Sequence, residues 1–169
     1  PEIDGINWSL NKVIFVTVHR RENWGDKLQD IICGLELLLK NHKEIIILIS
    51  LHPNPIVRLP IKKIFMNHSR VILCEPLDYK FLVGTLKNCF LILTDSGGLQ
   101  EESPSFGKPV LVLRETTERT EAINSGCAKL IGTNPINILR HTSLLLKSKV
   151  EYEKMSKINN PFGDGHASK

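Results

Sequence analysis

The sequence predicts a doubly wound, Rossmann-like α/β domain built on a parallel sheet, and three observations carry that prediction. Short apolar runs alternate with stretches of helical periodicity along most of the chain. The runs lack polar alternation, as strands do when helices cover both faces of a sheet. Polar, turn-forming and ionisable residues gather directly after the runs, where open α/β sheets hold their ligands.

Lys12–Val18 is a β-branched, almost continuously apolar run and gives the first strand. Asp26–Asn41 then places Leu28, Ile31, Ile32, Leu35, Leu38 and Leu39 at helical spacing. Ile45–Leu51 is the second strand, stopped by His52-Pro53-Asn54-Pro55, which can continue neither a ladder nor a helix. Ile56–Met66 is a weaker helix, interrupted by Pro60. Val71–Cys74 is a third strand with the helix Tyr79–Asn88 behind it. Phe90–Thr94 is a fourth, Leu99–Phe106 a helix, and Val110–Leu113 a fifth strand. Lys129–Ile131 is read as a sixth, followed by helices around Ile136–Lys147 and near Glu151–Ile158. Phe65 and Phe81 are read as core.

The chain has 169 residues, of which 41% are hydrophobic and 24% charged, with a net charge of +4. That is one domain's length, and its apolar content excludes a disordered chain. No apolar run reaches the ~18 residues of a membrane span, and no signal-peptide core opens the sequence. The positive charge forms no block, so neither nucleic acid nor membrane is an expected partner. Cys33, Cys74, Cys89 and Cys127 form no C-x-x-C pair, which removes the local spacing that zinc sites and thioredoxin-type motifs need. The expectation is a soluble cytoplasmic domain with reduced cysteines and no metal.

The segments after the strands hold the candidate site. Thr94-Asp95-Ser96-Gly97-Gly98-Leu99-Gln100-Glu101-Glu102 runs from a strand through two glycines into a helix. Free N–H groups and the helix dipole favour an anion there, glycines admit a phosphate close to the backbone, and Ser96 adds a hydroxyl. Glu102, a turn further on, offers an acceptor to a sugar hydroxyl. The same segment is also what a plain helix cap looks like, with Asp95 or Ser96 as the capping residue. His19 with Arg20 and Arg21 follows the first strand and supplies a titratable ring and two planar cations suited to phosphate. His52 follows the second strand, where taken alone it reads first as a turn residue, and Arg119 sits in the Thr-Thr-Glu-Arg loop after the fifth, where it reads equally as a surface charge. Together these residues favour an anionic ligand, and a nucleotide above others. The dinucleotide fingerprint G-x-G-x-x-G, the P-loop, H-E-x-x-H and G-x-S-x-G are all missing, which argues against dehydrogenase, P-loop NTPase, zinc protease and serine hydrolase chemistry.

Thr17–Asn23 (TVHRREN), His52–Pro55 (HPNP), Glu75–Tyr79 (EPLDY), Thr94–Glu102 (TDSGGLQEE), Gly107–Arg119 (GKPVLVLRETTER) and Asn160–Ser168 (NPFGDGHAS) together resemble the C-terminal half of the bacterial, non-hydrolysing UDP-N-acetylglucosamine 2-epimerases. The resemblance implies one domain of a two-domain GT-B architecture, with the active site in the cleft between the halves. It implies interconversion of UDP-N-acetylglucosamine and UDP-N-acetylmannosamine by anti elimination of UDP, through a 2-acetamidoglucal, and re-addition. His19 corresponds to the active-site histidine near the diphosphate. Ser96, Gly97 and Gly98 correspond to phosphate-binding positions, Glu102 to the ribose-binding carboxylate, and Arg119 to a residue beside the diphosphate. Arg20 and His52 match nucleotide-sugar-binding positions linked to the cleft and, in some members, to an allosteric site.

The resemblance further implies no cofactor, a role in cell-envelope polysaccharide synthesis, and association as a homodimer. On this basis residues 1–169 are expected to be the UDP-binding C-terminal domain, with the N-terminal domain and a C-terminal crossover helix lying outside them. The general acid/base carboxylates belong to that other domain. Thr120, where the family has Pro, and Trp24 depart from the family pattern. A hydrolysing epimerase, a non-catalytic binding module and the donor domain of a GT-B glycosyltransferase are the alternative readings.

Overall fold

Strand β1 (Lys12–Thr17) lies inside a six-stranded parallel sheet and pairs on one side with β2 (Ile45–Ser50) and on the other with β4 (Leu91–Thr94). With β3 (Val71–Cys74), β5 (Val110–Val112) and β6 (Ala128–Leu130), the order is β3-β2-β1-β4-β5-β6. The structure, a computed structural model, describes residues 2–163. The last part of the NPFGDGHAS segment, from Asp164 on, lies outside the described residues.

The strands read as continuously apolar because both faces are covered. Ile14, Val16, Ile45, Ile47 and Ile49 turn to one core, packed by α1 (Asp26–Asn41), α2 (Pro55–Phe65) and α6 (Pro135–Lys147). Val13, Phe15, Ile46 and Leu48 turn to the other, packed by α3 (Tyr79–Asn88), α4 (Gly97–Glu102), α5 (Thr120–Ser125) and the N-terminal segment through Ile3, Ile6 and Trp8. Burying each such aliphatic side chain contributes roughly 1.5–3 kcal/mol. α1 and α6 approach so closely that a Cβ on Gly34 would meet Ile138 Cδ1 at 2.8 Å, so glycine is what permits the contact.

Several details differ from the sequence reading. Pro60 does not interrupt α2: it removes only the bond to the Ile56 carbonyl, while Val57, Ile61 and Phe65 anchor both halves of the helix to the core. Asn54 caps this helix through the Ile56 N–H, and Pro55 takes its first position. α4 begins two residues early, at Gly97, and tightens into a 3₁₀ turn at Ser103–Phe106, where Pro104 has no N–H to donate. α5 was not anticipated. α7 (Lys149–Ser156) is held by a few partly buried side chains such as Tyr152, whose hydroxyl donates to the Phe90 carbonyl at 2.7 Å. Phe65 is core as expected, but Phe81 is 42% exposed. Cys89 and Cys127 are buried small hydrophobes, Cys74 is half-buried and Cys33 exposed.

Candidate functional site

The winding of the sheet reverses between β1 and β4, and this seam opens the crevice in which doubly wound folds bind ligands. Thr17 and Thr94 end the two strands side by side, with their hydroxyls 2.6 Å apart. Thr94 Oγ1 also accepts the Ser96 N–H at 2.9 Å, which starts the turn into α4.

Asp95, between them, is fully buried. Its carboxylate accepts the His19 N–H at 3.0 and 3.1 Å, the Arg20 N–H at 2.9 Å and the Asn23 side-chain amide at 3.0 Å. The His19 ring Nδ1 faces the same carboxylate at 3.5 Å, leaving Nε2 as the ring's other polar atom. Asn23 also donates to the Leu113 carbonyl at 2.9 Å, so the loops after β1, β4 and β5 meet at one point. A buried carboxylate is tolerable only with this many donors on it. The capping role falls to Ser96 alone, whose hydroxyl accepts the Leu99 N–H at 3.4 Å.

Above this seam lies a cavity of about 370 Å³. His19, His52, Ser96, Gly98 and Glu102 all line it, so five of the eight expected residues converge on one space. The His19 and His52 rings stand edge to face, with centroids 6.4 Å apart. His52 also accepts the Asn54 N–H on Nδ1, holding the His-Pro-Asn-Pro turn.

The other three stand beside the cavity. Gly97 is buried in the first turn of α4, and the Arg119 guanidinium fills the space where its Cβ would be, 3.1–3.3 Å away. Arg119 Nε donates to Glu101 at 2.6 Å. Arg20 spends its backbone N–H on Asp95 and is not among the residues that line the cavity.

Two features escaped the sequence reading. One is the cavity's apolar wall, formed by Phe15, Leu51, Pro53, Pro76, Leu77 and Leu82, for which only the looser signal of an E-P-L turn after a strand was available. The other is Arg114, buried directly after β5, which donates to Glu22 at 2.7 Å and in two parallel bonds to Glu118 at 3.0 and 3.2 Å. Hydrogen bonds from Arg114, and its charge, hold the Glu118 carboxyl at about 2, well below the usual carboxylate range. Among the described residues no group of three or more His, Cys, Asp or Glu could hold a metal ion, and no helix is long and apolar enough to cross a membrane.

Fold and site together define a doubly wound α/β domain with a cavity at its topological switch point. The chain belongs to the UDP-N-acetylglucosamine 2-epimerase family, whose model matches residues 2–169. It is 46% identical over 156 residues to the UDP-N-acetylglucosamine 2-epimerase of Campylobacter jejuni, covering 92% of this chain and 41% of that protein. Among solved structures, the Neisseria meningitidis UDP-GlcNAc 2-epimerase bound to UDP-GlcNAc superposes with a TM-score of 0.88 at 44% identity, over 90% of this chain and 41% of the other. A Staphylococcus aureus MnaA–UDP co-structure superposes with a TM-score of 0.90 at 42% identity, over 94% and 43%. The chain thus spans 41% and 43% of the length of the first curated relatives it matches.

Proposed function

We propose that this chain is the UDP-binding half of a UDP-N-acetylglucosamine 2-epimerase, paired with an N-terminal half in a GT-B arrangement. The observation that carries this is the convergence of His19, His52, Ser96, Gly98 and Glu102 on one cavity at the β1/β4 seam, beside the Arg119 guanidinium. The apolar wall suits a uracil ring, and the Glu102 carboxylate suits the ribose hydroxyls. The N–H groups at the start of α4, with Ser96 and Arg119, suit the diphosphate.

Epimerisation through elimination releases UDP as an anion. Charge develops on the departing phosphate oxygen in the transition state, and donors and cations already aimed there lower that barrier without reorganising. His19, its Nδ1 facing the Asp95 carboxylate, joins them through Nε2 in the form that carries a proton on both ring nitrogens. The proton at C2 is handled by carboxylates of the N-terminal half, without which elimination loses its acid–base catalysis. UDP-N-acetylglucosamine is the substrate and UDP the common ligand of both directions. The same reading assigns the protein to cell-envelope polysaccharide synthesis in the cytoplasm, as a homodimer.

The functional test joins the chain to a relative's N-terminal half and follows UDP-N-acetylglucosamine by NMR. Appearance of the mannosamine epimer without any sugar acceptor is expected. Consumption only when an acceptor is added would replace the epimerase with a glycosyltransferase.

A further inference from the structure

We infer that Gln100, Glu101 and Thr117 are positioning residues through which helix α4 carries the 117–119 loop and aims Arg119 at the diphosphate; this deepens the UDP-binding reading above and rests on it. The Gln100 amide is fully buried and both its ends are used. Its Nε2 donates to the Ser96 carbonyl at 3.2 Å, and its Oε1 accepts the Thr117 hydroxyl at 2.8 Å. Thr117 Oγ1 in turn accepts the Arg119 N–H at 3.1 Å. One residue further along α4, Glu101 accepts Arg119 Nε, and its own carbonyl accepts the Asn160 side chain at 3.1 Å. The loop is therefore fastened twice to α4, once through the Thr117 hydroxyl, which also holds the Arg119 backbone N–H, and once through the guanidinium.

The choice of Arg119 atom matters. Glu101 takes Nε and leaves the outer edge, Nη1 and Nη2, which is the fork that grips a phosphate in two parallel bonds. A half-exposed ion pair adds little to stability, so stability does not account for the pairing. An arginine already held in its binding rotamer loses less freedom when ligand arrives. Against this, the Glu101 charge itself repels a diphosphate. The two effects have opposite signs, and substitutions at Thr117 separate them because they leave every charge in place.

UDP titration of the chain by calorimetry tests the inference. Thr117→Val and Glu101→Ala are expected to weaken UDP binding about tenfold, the scale of a lost hydrogen bond to a charged group. Thr117→Ser and Glu101→Gln keep an acceptor in place and are expected to bind UDP to within about twofold of the unaltered chain. In parallel, the Arg119 Nε–Hε resonance is expected to exchange slowly with water in the unaltered chain and fast in Glu101→Ala, while the thermal midpoint stays put. A merely structural role would move the midpoint and not this signal. Equal or tighter UDP binding by both Thr117→Val and Glu101→Ala would overturn the inference and leave the UDP-binding reading standing. Failure of the unaltered chain to bind UDP would remove both.

Discussion

Asp95 receives the backbone N–H of His19 on both of its carboxylate oxygens, at 3.0 and 3.1 Å. The two residues follow neighbouring strands, so this contact closes the seam where the sheet reverses its winding. The His19 backbone is thus set by a buried carboxylate that is not itself among the residues lining the cavity. Asp95 shapes the β1 loop, and the β1 loop shapes one side of the cavity.

Asp95→Asn should therefore damage stability and ligand binding together. The amide swaps an acceptor oxygen for a donor in front of N–H groups that have nowhere else to turn. A loss of about 2–4 kcal/mol is expected from the urea midpoint, with His19 amide and ring resonances shifted. A variant as stable as the parent would mean that this donor shell is not what holds the loop.

The two glycines of α4 should separate. Beyond its own helix backbone and chain neighbours, a Cβ on Gly98 would meet only Ser96 Oγ, at 3.8 Å, so Gly98→Ala fits the fold and gains up to about 1 kcal/mol of helix preference. Because Gly98 lines the cavity, the same methyl group should obstruct a phosphate and lower UDP affinity at least about tenfold. Gly97→Ala should displace the Arg119 guanidinium, which is the flexible end of its side chain, and weaken UDP binding with little change in melting temperature. Unaltered UDP affinity in Gly98→Ala would show that the phosphate does not approach this backbone.

The fold was legible because the physics behind it is local. Ile45–Ile49 is apolar at every position, which only a doubly covered strand explains, and the prolines of His52-Pro53-Asn54-Pro55 mark where it must end. The polar side of the cavity, His19, His52, Ser96, Gly98 and Glu102, was legible because these residues lie on the segments that follow β1, β2 and β4. Asp95 looked like a cap because its true partners, His19 and Asn23, are distant in sequence and meet it only through the β1/β4 pairing. Arg114 was invisible for the same reason: its burial follows from Glu22 and Glu118 arriving from two different loops. Pro60 misled because its effect depends on what the inner face of α2 rests on. No local signal marked α5.

Acid should loosen the loop after β5. The Glu118 carboxyl, held by Arg114 at about 2, lies below its unfolded value near 4.3. A lowered folded-state value means that the Glu118 contribution is fully present above the unfolded value and is lost as pH falls from about 4.3 toward 2. Urea midpoints of the parent and Glu118→Gln should therefore differ at pH 6 and converge across that window. High salt should shrink the difference, since the Glu118 side chain is 59% exposed. A gap independent of pH would refute the pairing.

Thiol labelling should rank the cysteines by burial. Cys33 is exposed and should react first under native conditions. Burial pushes the Cys74 thiol up to about 11 and the Cys89 thiol up to about 12, so both should lag far behind. Cys127, also buried, should wait for unfolding. Rapid native labelling of Cys89 would contradict the packing of α3 on the sheet.

The most direct measurement is a titration of the isotope-labelled chain with UDP, followed residue by residue through its amide resonances. Shifts concentrated at His19, Ser96–Gly98, Glu102 and Arg119, and saturating with UDP, are the predicted result. No shifts at millimolar UDP, or shifts scattered over the α1/α6 face instead, would contradict the assignment of this cavity as a nucleotide site.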